Sequence, residues 1–429
     1  MDTVIGPAGI PAATRCLPLL VILVVFSSAT AARSNSAGNS HKRPALSLVA
    51  VTLRVGMLRS DLGVEHSIAA RLPLNYPAIS FLTNRTGWVM ATRGTAITIL
   101  HTSDTGHSWQ RLAHLSLGWS AAPRLQFVDR RHGWISTIGP ALCGGLKTPP
   151  CHTILLRTTD GGRHWRSLYA PDIFSGDAVT FVDPLHGFLL RSQMRCQTLC
   201  PRPRRLYATA DGGVIWHPLL AAPRFPSMSM SWVNQHDGWI GTGDFRTCTT
   251  AIYATSNGGA NWSRQIDLHK QCGEMLVGML DTHRGWALGG MDMRYCSMGG
   301  CGDYTLYQTA DGGRHWTVEL AARRGWWNVR NAYGGFPGPP HFVTDRYGWI
   351  PFGTGAGPGD GGIAITTDGG RTWRRTLRSY PLGDSSIEPL SAQDGWATGM
   401  SRLCPAPACN ADLLHTADGG RTWMKLHPA

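Results

Sequence analysis

The sequence is poor in the residues that build helical surfaces. Glu occurs four times (Glu65, Glu274, Glu319, Glu388) and Lys four times (Lys42, Lys147, Lys270, Lys425) in 429 residues. Charged residues make up only 16% of the chain. A chain with so few good helix formers of the solvent-facing kind does not build coiled coils or helical solenoids. Long apolar runs are also scarce. Beyond the N-terminus no stretch approaches the roughly 20 apolar residues that a membrane helix needs. That excludes a polytopic membrane protein. No G-x-S-x-G, H-E-x-x-H or P-loop pattern is present.

Gly (52), Pro (27) and Trp (17) are plentiful, and 42% of residues are hydrophobic, enough for a real core. This balance predicts many short strands and many turns. The formal charge is +13, nearly all of it arginine. A basic balance suits acidic partners, although a basic surface is also simply tolerated. No Lys/Arg block interleaved with aromatics forms a nucleic-acid module, so no nucleic-acid partner is expected.

The N-terminus has the pattern of a secretory signal. Arg15 precedes an apolar run from Leu17 to Phe26, and small residues follow through Ala29-Thr30-Ala31. Asp2 offsets Arg15, so an uncleaved anchor is the alternative for residues 1–31. Cys16 precedes the apolar run and cannot serve as a lipobox cysteine. The other ten cysteines fall as close neighbours: Cys143 and Cys151, Cys196 and Cys200, Cys248 and Cys272, Cys296 and Cys301, Cys404 and Cys409. An even count in an exported chain argues for disulfides, in a pairing that sequence does not fix. Zinc is the rival, but no two C-x-x-C pairs stand at ribbon spacing. The expectation is a secreted or cell-surface protein with no metal and no cofactor.

Internal repetition carries most of the information. T-x-D-x-G-x-x-W and close variants begin at Thr102, Thr158, Thr209, Thr255, Thr309, Thr366 and Thr416, spaced 46 to 57 residues apart. A second pattern alternates with it: an apolar pair, a polar turn, then Gly-Trp. It ends at Trp88, Trp134, Phe188 (Phe for Trp), Trp239, Trp286, Trp349 and Trp396. Each unit reads as strand, polar turn, strand, variable loop, strand, Asp-Gly turn, strand. Four antiparallel strands in about 50 residues are one propeller blade. Seven units predict an all-β, seven-bladed β-propeller over residues 76–429. Residues 32–75 are either a linker or a linker carrying a strand (Leu46 to Val55) that closes the ring.

The Asp turn has a structural logic. A short carboxylate accepts backbone N–H groups one to three residues on, glycine supplies positive φ, and Trp packs between sheets. This assigns a structural role to Asp104, Asp160, Asp211, Asn257, Asp311, Asp368 and Asp418. Asn257 fits that role, because an amide accepts the same bonds. The repeats lack the run of oxygen ligands of a calcium loop.

The T-x-D-G-G-x-x-W copies resemble Asp-box (BNR) repeats. With the added F-V-x-x-x-x-G-W element and the ~50-residue period, the chain looks most like the photosystem II assembly/stability factor propellers. Sialidases, sortilin-type receptors and some xyloglucanases share the box. The resemblance implies a non-catalytic binding or scaffold propeller that recognises a protein or glycan partner at the cell surface. A carbohydrate-active enzyme of sialidase or xyloglucanase type is the alternative, since the box fixes fold rather than function.

Antiparallel alternation places the 2–3 loops and 4–1 connectors on one face, and the 1–2 and Asp turns on the other. The variable face is where binding residues are expected. It carries most of the cysteines, Arg202, Arg204 and Arg205 from blade 3, and the connector residues Arg323, Arg324, Trp326, Trp327, Arg330 and Tyr333. The paired Trp either bind a partner by stacking or cap the core between two blades. Carboxylates expected on this face, as an enzyme would need, are Asp172, Asp177, Asp244, Glu274, Asp292, Asp303, Asp360 and Glu388. A monomer is expected, and no catalytic residue is assigned.

Overall fold

The computed structural model describes residues 75–93, 96–116, 121–138, 153–168, 178–191, 205–224, 227–244, 247–269, 274–289, 304–320, 337–352, 362–377, 387–400 and 411–428. They form seven sheets of four antiparallel strands arranged in a ring, with no helix among them. Each sheet is built from four consecutive strands, so the chain completes one blade before starting the next. Blade 1 comprises Asn75–Phe81, Gly87–Arg93, Ala96–Thr102 and Gln110–Ser116. Blade 7 comprises Ile387–Pro389, Gly395–Met400, Ala411–Thr416 and Met424–Leu426. The expected signal and the strand-like residues 46–55 lie outside the described residues.

Burial grades across each blade. The second strand is almost wholly buried, as in Gly238–Asp244 and Gly348–Phe352. The fourth strand, as in Gln110–Ser116, is mostly exposed. The second strands therefore read as near-continuous apolar runs, while the outer strands tolerate Arg, Lys and Gln.

The Gly-Trp element is what joins one blade to the next. Trp88 of blade 1 stacks on Phe127 of blade 2 at 3.8 Å and 7°. Trp134 lies on Phe181 at 3.7 Å, Trp286 on Phe342 at 3.5 Å, and Trp396 of blade 7 on Phe81 of blade 1 at 4.0 Å. In blade 3 Phe188 takes the Trp position and stacks on Trp232 of blade 4 at 3.3 Å. The glycine before the stacked residue makes room for these rings, as Gly87, Gly133, Gly187, Gly238 and Gly348 do. A Cβ at Gly133 would lie 2.6 Å from the Phe127 ring. Each of these stacks thus runs the ring after the glycine of one blade (Trp, or Phe188 in blade 3), the aromatic ring of the next, then bare glycine Cα. Such pairs contribute about 0.5–1.5 kcal/mol beyond the area they bury.

A polar ladder runs beside the stacks. The residue before the packed side chain accepts the N–H of the equivalent packed position one blade on. Ser80 Oγ accepts Phe127 N–H at 2.8 Å, Gln126 Oε1 accepts Phe181 N–H at 2.9 Å, and Ser231 Oγ accepts Met279 N–H at 3.0 Å. Closure uses the same device: Glu388 Oε2 of blade 7 accepts Phe81 N–H of blade 1 at 2.5 Å. Tyr76 Oη also donates to Pro428 O at 3.0 Å, and Ala411 N–H donates to Asn75 Oδ1 at 2.5 Å. Blades 7 and 1 therefore meet by side-chain packing and hydrogen bonds between complete sheets.

Candidate functional site

The two turn types of each blade sit together. The N–H of the first turn glycine donates to a carbonyl of the 1–2 turn in the same blade, as in Gly161 to Arg131 O at 2.9 Å and Gly369 to Arg346 O at 2.9 Å. In blade 1 Thr105, at φ 64°, replaces that glycine and donates to Arg85 O. This pairing fixes one face of the ring as a rim of short hydrogen-bonded turns. The 2–3 loops and 4–1 connectors leave from the opposite ends of the strands.

The Thr/Asp turns are internally saturated. In all seven turns the Thr hydroxyl donates to Oδ1 of the Asp, or of Asn257, at 2.7–3.0 Å. The same hydroxyl accepts the N–H of the second glycine position at 2.8–3.0 Å. That Oδ1 also accepts the N–H four residues on, at 2.9–3.0 Å. A side chain from that fourth residue often caps Oδ2: Ser108, Thr372 and Thr422 by hydroxyl, His164 and His315 by Nδ1. These bonds to the ionised form outweigh any burial cost. The Ser108 hydroxyl at Asp104, the His315 N–H at Asp311 and the Thr422 N–H at Asp418 hold those carboxyls down to about 2. At Asp160 burial pushes upward, and the His164 bonds override it, again to about 2. Carboxylates so engaged are poor general acids and have their lone pairs directed into their own turns.

The variable face is described only at its strand ends. Arg205, which opens the third strand of blade 3, is the register partner of Arg191 at the end of the second strand. Two guanidinium-bearing residues therefore stand side by side at the mouth of the blade 3 loop. Sequence reading missed Arg191; the signal is its place at the end of the Gly-Phe-Leu-Leu strand, directly opposite Arg205. In blade 5, burial and the neighbouring charge of Glu274 push the Tyr304 hydroxyl up. Where blades 7 and 1 meet, Tyr76 is raised by burial, with Arg93 and Asp412 acting in opposite senses. Lys425 pairs with Asp412 at 2.6 Å.

Arg202, Arg204, Arg323, Arg324, Trp326, Trp327, Arg330 and Tyr333 lie outside the described residues. So do nine of the ten cysteines expected to form bridges: Cys143, Cys151, Cys196, Cys200, Cys272, Cys296, Cys301, Cys404 and Cys409. The tenth, Cys248, is disulfide-bonded and sits at φ 50° just before the third strand of blade 4. Of the carboxylates expected on the variable face, Asp244 and Glu274 are at strand ends on that side. Asp172, Asp177, Asp292, Asp303 and Asp360 lie outside the described residues. Glu388 is not on that face. Its strand, Ile387–Pro389, is three residues long and runs straight into the 1–2 turn, so Glu388 lies near the turn face and serves the ladder to Phe81. No group of three or more His, Cys, Asp or Glu able to hold a metal occurs among the described residues.

The fold defines the chain as a seven-bladed β-propeller. No protein-family model matches the chain, and no curated protein matches it in sequence. Solved structures similar to it include YCF48 bound to a D1 peptide, at 16% identity and TM-score 0.49, covering 81% of this chain and 94% of that one. YCF48 from Cyanidioschyzon merolae is similar at 17% identity and TM-score 0.45, covering 83% and 98%. One of two structurally analysed prolyl endopeptidases is similar at 9% identity and TM-score 0.53, covering 84% of this chain and 51% of that one. At these identities the likeness is one of fold alone.

Proposed function

We propose that the chain is an exported, non-catalytic propeller that binds a protein or glycan partner through its variable face. In this reading the Thr/Asp turns are Asp boxes acting as scaffold. The loop cysteines form disulfides that hold the loops in place, as the disulfide-bonded Cys248 does in blade 4. The observation that carries the proposal is the contrast between the two faces. On the turn face the repeated carboxylates are committed to their own turns. On the variable face Arg191 and Arg205 stand opposite each other in register, and the sequence of the loop between them includes Arg202 and Arg204. Arginine side chains at a loop mouth suit a partner bearing carboxylate, sulfate or phosphate groups, which guanidinium groups bind by paired, charge-assisted hydrogen bonds. Loops cross-linked in advance lose less entropy on binding.

The test exposes the full chain, on its native cell surface, to affinity capture, and in parallel to xyloglucan and sialoside substrates. The expected result is a saturable partner and no hydrolysis. Turnover of either glycan replaces this reading with that of a carbohydrate-active enzyme.

A further inference from the structure

The grooves between neighbouring blades on the turn face are not alike. Their floor is set by the residue just before the Thr of each Thr/Asp turn. In blade 2 that residue is Arg157, and it fills the groove toward blade 3. Its guanidinium donates to Asp211 O at 2.9 Å and to Pro184 O at 3.0 Å, and lies 5.8 Å from the Trp134 ring centroid. In blade 1 the same position is His101. The shorter ring rests against Trp88 at 4.9 Å and leaves the groove toward blade 2 open, with a volume of about 450 Å³.

Three arginines surround that opening: Arg85 from the 1–2 turn of blade 1, Arg130 from the 1–2 turn of blade 2, and Arg163 from the Thr/Asp turn of blade 2. Arg163 donates to Asp160 O at 3.1 Å. Arg85 and Arg130 pair with no carboxylate among the described residues. The nearby acids do not neutralise the cluster by contact. Asp104 is bound by Thr102 and Ser108, and Asp160 by Thr158 and His164. Burial lowers the His101 pKa, and the charges of Arg163 and Arg130 beside it lower it further.

We propose that the groove between blades 1 and 2 binds a tetrahedral oxyanion, a sulfate or phosphate group, held by Arg85, Arg130 and Arg163. Guanidinium groups match such oxygens with paired, charge-assisted hydrogen bonds. Ser103 and Gln110 line the same groove and add neutral donors. The volume exceeds that of a bare ion, so there is room for the small molecule that carries the group as a monoester. The molecule also supplies a control. The corresponding groove between blades 4 and 5 is of similar size, about 520 Å³, but mixes Asp237 and Asp311 with a single arginine, Arg314. This site is on the face opposite the proposed partner surface, and the two stand or fall separately.

The test is calorimetric titration of the full chain with inorganic phosphate, inorganic sulfate and glucose 6-phosphate, against chloride at matched ionic strength. Saturable binding is expected, weakened at least tenfold in R85Q/R130Q and unchanged in R314Q. Arg85 and Arg130 are exposed, so the double variant is expected to melt with the parent chain, which is checked by circular dichroism. Tighter binding of the sugar phosphate than of the free ions identifies a monoester as the ligand; equal affinity identifies the ion itself. Binding no stronger than the chloride blank, or binding unaffected by R85Q/R130Q, overturns the proposal.

Discussion

Glu388 in blade 7 accepts the backbone N–H of Phe81 in blade 1 at 2.5 Å, across 307 residues of sequence. Elsewhere in the ladder the same job falls to Ser80, Gln126 and Ser231, which do not titrate. Part of the Glu388 side chain is accessible, but protein surrounds it, and that burial pushes its carboxyl up to about 8. The ring therefore closes through an ionisable acceptor.

The sign of its pH dependence follows. The folded pKa lies above the ordinary 4.5, so the folded state holds its proton more tightly than the unfolded state. Stability from this group is full below pH 4.5 and is lost as pH rises toward 8. Glu388→Gln copies the Gln126 step and removes the titration. The expected outcome is a melting temperature raised by about 2 °C at pH 8.5, corresponding to about 1 kcal/mol, and unchanged at pH 4.5. Calorimetric scans at the two pH values check it.

His341 is the ladder residue of blade 6, and the position it faces in blade 7 is Pro389, which has no N–H to donate. Its Nε2 is buried without a partner, and burial lowers its pKa to about 4. Here the sign is opposite. Stability is full above pH 6.5 and is lost as pH falls toward 4, because only the unfolded chain takes up the proton. His341→Gln is expected to flatten the melting temperature across that window, measured against the parent chain.

The stacks make a graded prediction. Trp88→Ala removes the ring that covers Phe127 and its bond to Gly161 O at 2.8 Å, at a cost of about 3–5 kcal/mol. Trp88→Phe keeps a stacked ring, as Phe188 does in blade 3, and forfeits mainly the hydrogen bond, about 1 kcal/mol. Denaturant titration of both variants measures the difference.

The Thr/Asp turns predict that Asp160→Asn is mild, under about 1 kcal/mol, because Asn257 makes the same bonds in blade 4. Asp160→Ala leaves its N–H donors unpaired and costs about 1–2 kcal/mol. Carboxyls held at about 2 lie below their ordinary 3.8, so their contribution is present above pH 3.8 and lost as pH falls toward 2. Acid unfolding followed by tryptophan fluorescence is expected to shift downward in pH for Asp160→Asn relative to Asp160→Ala.

The legible part of this molecule is the part that repeats. Thr158, Asp160 and Gly162 announce a turn because every partner they need is within four residues. The Gly-Trp element announces a strand start, although what the glycine accommodates, the Phe127 ring beside Gly133, is visible only in three dimensions. The ladder was not legible. Nothing near Ser80 or Gln126 in sequence shows that each bonds to a backbone 47 or 55 residues away. Glu388 was misplaced for the same reason: its very short strand hides which end of the blade it occupies. The open groove beside His101 depends on what Arg157 does one blade on, a comparison that requires the assembled ring.

The central claim is that the macromolecular partner is recognised by the variable face, while the Thr/Asp turns are scaffold and the turn face offers at most the small-anion groove between blades 1 and 2. The most direct measurement is partner capture by two variants of matched thermal stability: one with Arg191, Arg202, Arg204 and Arg205 changed to Gln, the other with Arg131, Arg346, Arg371 and Arg421 on the turn face changed to Gln. Loss of capture at least tenfold in the first and retention in the second is the predicted result. Capture retained by the first and lost by the second contradicts the account.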